Sequence, residues 1–415
     1  RTDMSGDFYD RLETRSTDER EAAQMAALSA QVALAKGKTA YFGKLLSDID
    51  PGTITSRAAL TGLPVTRKGD LLDLQKSTPP FGGMTTVAPN GLARLYMSPG
   101  PIYDAEGPES DPWRFARTLY AAGFRKGDIL HNCFSYHLTP AGMMVDGAAR
   151  AIGCAVFPGG VGNTEMQVQA AADLKPAGYS GTPSFLKIIL EKARELGADI
   201  SSMKKGLVGG EALPPSLRKE IADLGCGVLQ CYGTADLGLV AYESPALEGM
   251  ILDEGVIVEI VRPGTGDPVA EGEVGEIVVT TLNPHYPLIR FGTGDMSAVL
   301  AGTSPCGRTN QRIKGWMGRA DQTTKIKGMF VHPGQVAEVV KRHPEISKAR
   351  LVVTGRTGDD VMTLHCETAA SGDALSDAVA ASLQSVTKLR GAVSLVTEGS
   401  LANDGKVIED ARSYE

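Results

Sequence analysis

Long apolar runs are absent from this chain. Although 42% of its 415 residues are hydrophobic, no stretch approaches the roughly 20 consecutive apolar residues needed to span a bilayer. Cysteine is sparse and scattered: the six residues, at 133, 154, 226, 231, 306 and 366, include no C-x-x-C, and the nearest two are Cys226 and Cys231. That spacing argues against a disulfide framework or a cysteine zinc site, and for reduced, mostly buried thiols in a cytoplasmic protein. An excess of positive charge is missing as well. With 42 Lys and Arg against 49 Asp and Glu, the net charge of −7 gives no electrostatic reason to expect nucleic acid or an anionic membrane as partner. The N-terminus is polar and lacks the apolar core of a signal peptide; the three residues ahead of Met4 read as an extraneous remnant. Familiar catalytic signatures also fail. The chain has no G-x-x-x-x-G-K-[ST] loop, no convincing G-x-G-x-x-G, no H-E-x-x-H and no G-x-S-x-G, and its six histidines show no metal-ligand spacing.

What is present points to an α/β enzyme. A length of 415 residues exceeds one ordinary core, so two or more domains are expected. The 49 Gly and 23 Pro make the chain rich in turns. Residues 7–46 read as helices, with Ala23, Met25, Leu28 and Val32 on one broad face. A helix is expected over 113–122 after the cap Asp111-Pro112, then strand and helix alternate through about residue 230. That regularity predicts right-handed βαβ units on a mostly parallel sheet. Beyond 250 the pattern turns to strands, at 256–261, 275–281 and 296–300. A compact α+β tail follows Asp321, with helices near 336–343 and 373–387.

Short polar clusters sit at the predicted strand ends: Ser98-Pro-Gly100, Ser135-Tyr136-His137, Gly181-Thr-Pro-Ser184, Gly209-Gly-Glu-Ala212, Gln230-Cys-Tyr-Gly-Thr-Ala-Asp236 and Arg290-Phe-Gly-Thr-Gly-Asp295. Carboxyl ends of parallel strands gather at one edge, where ligands bind, and six clusters in register along one edge are expected. Gly292 and Gly294 would allow a tight turn aiming Asp295 out of a strand end, where a carboxylate can hold the two hydroxyls of a ribose. An ordinary surface turn has the same spacing.

Taken together, Gly209-Gly-Glu-Ala, Tyr232-Gly-Thr-Ala-Asp236, Gly275-Glu-Ile-Val-Val-Thr, Arg290-Phe-Gly-Thr-Gly-Asp295, Gly318-Arg-Ala-Asp321 and Gly405-Lys406 resemble the ordered motifs of the adenylate-forming acyl-CoA synthetases. The phenylacetate–CoA ligase branch is nearest, through Leu63-Pro-Val-Thr-Arg-Lys-Gly-Asp-Leu, Gly162-Asn-Thr-Glu165 and Cys306-Gly-Arg-Thr309. The resemblance implies a large N-terminal α/β body, residues 1–319, with a mostly parallel sheet and a β subdomain. A small mobile α+β cap, 320–415, would hinge near Asp321. Gly210, Glu211 and Ala212 would line adenine, Tyr232 would stack on it with Gly233 and Thr234 alongside, and Asp295 and Arg319 would hold the ribose. Asp236 stands where the family has a magnesium-binding Glu, and is one methylene shorter. Tyr136, His137, Thr182 and Pro183 would sit beside the acyl group. Lys406 would bridge carboxylate and α-phosphate, and after the cap rotates Lys325, Lys327 and Gly328 would face coenzyme A. ATP, AMP, Mg²⁺ and CoA are thereby implied, with a small carboxylic acid, aromatic or arylacetic, as substrate. Delivery of the acyl group to an amine or carrier protein, and binding of nucleotide or acyl-CoA without turnover, stay open, as does a homodimer. One departure stands out. Where the family has a Ser/Thr/Gly-rich phosphate loop with a lysine, this chain has Tyr96-Met-Ser98-Pro-Gly100-Pro101. Prolines 99 and 101 donate no N–H, so only Gly100 and the Ser98 hydroxyl are offered to phosphate.

Overall fold

The first long helix, α1 (Thr17–Lys38), starts where the Ser16 side chain accepts from the Glu19 amide and Glu19 reaches back to the Ser16 amide. This reciprocal cap satisfies two donors that a helix start otherwise leaves without partners. The computed structural model describes residues 7–412 except Pro214, Asp321, Thr323, Gly328, His332, 356–359, Asn403 and Gly405. After α1 come α2 (Ala40–Leu45), α3 (Arg57–Thr61), β1 (Thr66–Arg67) and α4 (Leu71–Ser77), then a separate hairpin of β2 (Arg94–Ser98) and β3 (Ile102–Glu106).

The alternating segment forms as its pattern requires: α5 (Ala116–Ala121), β4 (Ile129–Asn132), α6 (Ala141–Ile152), β5 (Ala155–Pro158), α7 (Thr164–Leu174), β6 (Gly178–Gly181), α8 (Pro183–Leu196), β7 (Lys205–Val208), α9 (Pro215–Asp223) and β8 (Gly227–Thr234). Asp111 is not the N-cap of α5, a position held by Phe115, although its carboxylate accepts from the Phe115 and Ala116 amides at 3.0 Å each. The helix begins only at Ala116, because Asp111 and Arg114 both hold a positive φ and the intervening turn is not helical. Strands β5, β4, β6, β7 and β8 are parallel neighbours in that order. Antiparallel β9 (Gly238–Tyr242) and β10 (Met250–Leu252) extend the sheet. With β14 (Val299–Leu300) and β15 (Arg312–Ile313) it reaches nine strands. Consecutive residues of β7 show how it is covered. Leu207 packs in the core with Leu119, Met144 and Val145, whereas Val208 packs with Val168, Leu186 and Ile189. Side chains one residue apart on a strand leave opposite faces, so α5 and α6 cover one face and α7 and α8 the other.

A second sheet, in the order β1-β13-β12-β11, uses β11 (Val256–Val261), β12 (Gly275–Thr281) and β13 (Phe291–Ser297). It shares a core with α1 and α2 through Leu28, Val32, Phe42, Ile257, Ile277 and Phe291. Here the turn expected at Gly292–Asp295 is corrected. These residues lie inside β13, and Asp295 is only 9% exposed. The kink the glycines allow is a local bend of a continuing strand, with Gly294 at a φ of 76°.

The chain divides into two compact units. The large one comprises Arg1–Gly272, Glu276–Thr293 and Ser297–Trp316; the small one comprises Glu273–Gly275, Gly294–Met296 and Met317–Glu415. In the small unit are a hairpin of β16 (Thr324–Ile326) and β17 (Met329–Val331), α10 (Pro333–Lys341), β18 (Ile346–Thr354), β19 (Val361–Thr368), α11 (Asp373–Thr387), β20 (Ala392–Val396) and β21 (Ile408–Asp410). Its four-stranded sheet, β20-β19-β18-β21, packs Leu351 and Leu364 with Val339, Val379 and Leu383. The fold is thus α/β, with a mostly parallel principal sheet. All six cysteines are buried free thiols, and no described helix is long and apolar enough to cross a membrane.

Candidate active site

Four of the six polar clusters do share an edge of the large sheet. Residues 135–137 follow β4, 181–184 end and follow β6, 209–212 follow β7, and 230–236 close β8. The other two do not join them, because Ser98-Pro-Gly100 closes the β2–β3 hairpin and Arg290–Asp295 belongs to the second sheet. The expected row of six is a row of four.

Close strand packing shapes the β7 end. A Cβ on Gly209 would stand 3.0 Å from Cys231 Sγ and 3.2 Å from the Cys231 carbonyl oxygen, so a larger residue there would have to push β8 away by a few tenths of an ångström. Gly210 follows with a φ of 79°. Glu211 is exposed and ties neighbouring loops together: Ser184 Oγ donates to its Oε1 at 2.9 Å, and Gln230 Nε2 to its carbonyl oxygen at 3.2 Å. Thr182 and Pro183 lead into the same turn, Pro183 being the first residue of α8, where a missing N–H costs nothing. Exposed Ala212 continues the loop. Tyr232 is half-buried against the first core, and the ladder to β9 shifts register between Tyr232 and Gly233.

The end of β8 carries the densest electrostatics. Thr234 Oγ1 donates to Asp236 Oδ2 at 2.9 Å and accepts from the Leu237 amide at 3.1 Å. Lys68 Nζ lies 3.1 Å from Asp236 Oδ1 and donates to Oδ2 at 3.2 Å. Asp236 is 2% exposed and Asp104 fully buried. Ser98 Oγ donates to Asp104 Oδ2 at 3.0 Å. Burial, and then the charge of Asp236, push the Asp104 carboxyl up to about 8. Tyr286 is buried beside both acids, which with burial hold its phenol well above the usual range. Among the described residues, Asp104 Oδ1 and the Tyr286 hydroxyl are buried without a hydrogen-bond partner, whereas Asp236 Oδ1 has the Lys68 ammonium beside it.

Sequence reading selected Asp236 and Ser98 here but not Lys68, Asp104 or Tyr286. One signal could have found Asp104. In the hairpin it lies opposite Tyr96, two residues before Ser98, so period-two alternation places Ser98 and Asp104 on one face. Lys68 and Tyr286 arrive from distant segments and have no local signal.

Tyr136 is held by structure on both sides of its hydroxyl, which donates to Asp146 Oδ2 at 2.8 Å and accepts from Asn132 Nδ2 at 2.8 Å. His137, next along, is exposed.

In the small unit, Asp295 and Arg319 come together as the sequence suggested. Arg319 Nη1 donates to Asp295 Oδ1 at 3.1 Å, and the two residues form an antiparallel bridge. Gly294 makes this possible, since a Cβ there would stand 2.6 Å from Arg319 Nη2. Lys325 lies in β16, and Lys327, at a φ of 46°, donates its amide to Asp360 Oδ2 at 2.8 Å. Asp321 and Gly328, expected at the hinge and the CoA side, lie outside the described residues. Lys406 is partly exposed immediately before β21; its amide donates to Asp404 Oδ1 at 3.0 Å and its carbonyl accepts from Arg350 Nε at 3.2 Å. The next two amides, Val407 and Ile408, both donate to Gln322 Oε1, at 2.8 and 2.6 Å.

A family model described as AMP-binding enzyme matches residues 133–283. A phenylacetate–coenzyme A ligase of Thermus thermophilus is 31% identical over 369 residues, 85% of this chain and 82% of the relative. One from Escherichia coli is 30% identical over 367 residues, 84% and 82% respectively. Among solved structures, an open conformation of 2-hydroxyisobutyryl-CoA ligase in complex with 2-HIB-AMP and CoA superposes with a TM-score of 0.74 at 24% identity, covering 96% of this chain and 92% of that one.

Proposed function

Because this chain belongs to the adenylate-forming, phenylacetate–CoA ligase-like family and is an AMP-forming acid–CoA ligase, we propose that the acid it activates is aromatic or arylacetic. The observation behind this reading is the similarity to phenylacetate–CoA ligases along more than four fifths of both chains. In the first step a carboxylate oxygen of the acid attacks the α-phosphorus of ATP, and pyrophosphate leaves to give an acyl-adenylate. In the second the thiol of CoA, losing its proton, attacks the acyl carbon and AMP leaves. No protein nucleophile is needed; the side chains orient and offset charge.

Gly210, Glu211, Ala212 and Tyr232 present a loop and a ring for the adenine. Asp295, backed by Arg319, offers an acceptor for the ribose hydroxyls, and Lys406 supplies positive charge to the α-phosphate in the first step only. Asp236, a buried carboxylate whose Oδ1 has only the Lys68 ammonium beside it among the described residues, fits Mg²⁺, which when bound offsets charge developing on the phosphates. The functional boundary we place at 319/320, with 320–415 as a cap. Asp295→Ala should weaken AMP binding by about tenfold, the worth of one charge-assisted interaction after pairing with Arg319 is discounted for exposure. Calorimetry with AMP checks this; unchanged affinity takes Asp295 out of the site.

One feature favours a second reading, a binder without turnover. The Ser98 hydroxyl is already committed to Asp104, leaving the Ser98–Pro101 segment with even less for phosphate than its sequence suggests. Pyrophosphate release from ATP with a panel of acids, with and without CoA, separates the readings. Release with arylacetic acids that yields thioester only when CoA is present supports the ligase acting on that class. Turnover confined to short aliphatic acids overturns the substrate class alone.

A further inference from the structure

A chain that binds ATP without a phosphate loop must hold the β- and γ-phosphates by other means. Below the end of β8, Asp104 Oδ1 and the Tyr286 hydroxyl are buried without a hydrogen-bond partner among the described residues, beside Asp236, whose Oδ1 is ion-paired with the Lys68 ammonium at 3.1 Å. The three residues come from separate segments, and all are less than 3% exposed. Native interiors rarely leave even one buried polar group unpaired, because each forfeits its hydration without return. Two at one place, beside a buried acid, suit a ligand site.

The chemistry of the donors selects the ligand. Two carboxyl groups share a single lysine, Lys68, and hard oxygen donors suit a divalent cation. Among the described residues no three His, Cys, Asp or Glu side chains converge as a metal site. Two carboxylates are enough for Mg²⁺, which is held by one or two and completed by phosphates and water. Asp104 is also placed by the departure itself. It sits on β3, the strand that leaves the Ser98–Pro101 turn, and is fixed there by the Ser98 hydroxyl.

We propose that Asp104 is a second carboxylate ligand for the divalent cation, acting with Asp236, and that the cation so held carries the ATP phosphates in place of the missing loop. The Tyr286 hydroxyl hydrogen-bonds the coordination shell from below. This rests on the adenylation reading of the site.

The test is calorimetry of the full chain with AMP and with the non-hydrolysable α,β-methylene-ATP, each in EDTA and in Mn²⁺, beside electron paramagnetic resonance titration of free Mn²⁺. In EDTA the two nucleotides should bind within about tenfold of each other, since the nucleoside contacts are common to both. Mn²⁺ should tighten the ATP analogue by at least about tenfold and leave AMP nearly unchanged. Asp104→Asn, which keeps an acceptor for Ser98, should lose that gain and weaken Mn²⁺ binding about tenfold or more, while Asp104→Glu should restore part of it. Should Asp104→Asn fail to fold, Tyr286→Phe gives an independent answer. Removing a buried hydroxyl that lacks a partner should raise the melting temperature in EDTA and shrink the further rise produced by Mn²⁺ with the analogue. A wild-type Mn²⁺ gain that survives in Asp104→Asn overturns the proposal and leaves the adenylation reading standing. So does a Tyr286→Phe protein indistinguishable from wild type in both buffers. Failure of AMP to bind at all removes the underlying reading and the proposal with it.

Discussion

Lys406→Ala should lower acid-dependent pyrophosphate release by about a hundredfold or more, while thioester formation from a pre-made acyl-adenylate stays near the wild-type rate. The asymmetry follows from where charge develops. In the first step an anionic carboxylate approaches an anionic α-phosphate, and an ammonium between them offsets repulsion that grows toward the transition state. In the second a thiol attacks an already activated acyl carbon, and the same ammonium has nothing to offset. The substitution is structurally mild. The Lys406 side chain is partly exposed, and the backbone bonds to Asp404 and Arg350 do not involve it. Rapid-quench measurement of the two half-reactions decides the matter: equal losses in both would mean that Lys406 stabilises its unit rather than the reacting phosphate.

Arg290→Leu should cost the large unit about 3–5 kcal/mol, the range for removing one partner of a buried ion pair. Arg290 is 1% exposed, and its guanidinium is saturated. Nε and Nη2 donate to the two Glu259 oxygens at 3.0 and 2.9 Å, Nη1 to the carbonyls of Thr61 and Leu63 at 3.0 and 2.6 Å, and Nη2 also to that of Gly266 at 2.8 Å. Leucine would orphan three carbonyls and strand a buried carboxylate whose proton affinity burial already raises. Urea unfolding followed through Trp113, 1% exposed in this unit, should show the midpoint fall. The double variant Arg290→Leu with Glu259→Leu should recover part of the loss, because the uncompensated charge is then gone. A single variant as stable as wild type would show that this network contributes little beyond its own desolvation.

These two residues also mark how far a sequence can be read. Arg290 stands five positions before Asp295 in one family motif, and the motif invites a single role for both. Its side chain instead fastens α3, the 63–66 segment and the Gly266 turn to the second sheet. Periodicity sufficed for the alternating strands and helices, because each obeys a local rule; Leu207 and Val208, facing opposite cores, are that rule at work. Local rules also placed four of the polar clusters on one edge. They failed at Asp295, where two glycines signal a turn but β13 runs on because Arg319 supplies a bridge from 24 residues away. They also missed Lys68 and Tyr286, whose meaning comes from convergence in space, and Asp104, whose one local signal is its place on the Ser98 face of the hairpin.

The double acceptance by Gln322 Oε1 sets the mechanical footing of Lys406. Two successive amides donate to one oxygen next to that lysine, so in the role proposed for it the ammonium would be a reagent on a short leash, sweeping a volume fixed by its own four methylenes. A tethered group of this kind acts at a high local concentration that depends on the stiffness of its anchor as much as on its charge. Loosening the clamp would therefore dilute Lys406 without altering a single atom of it.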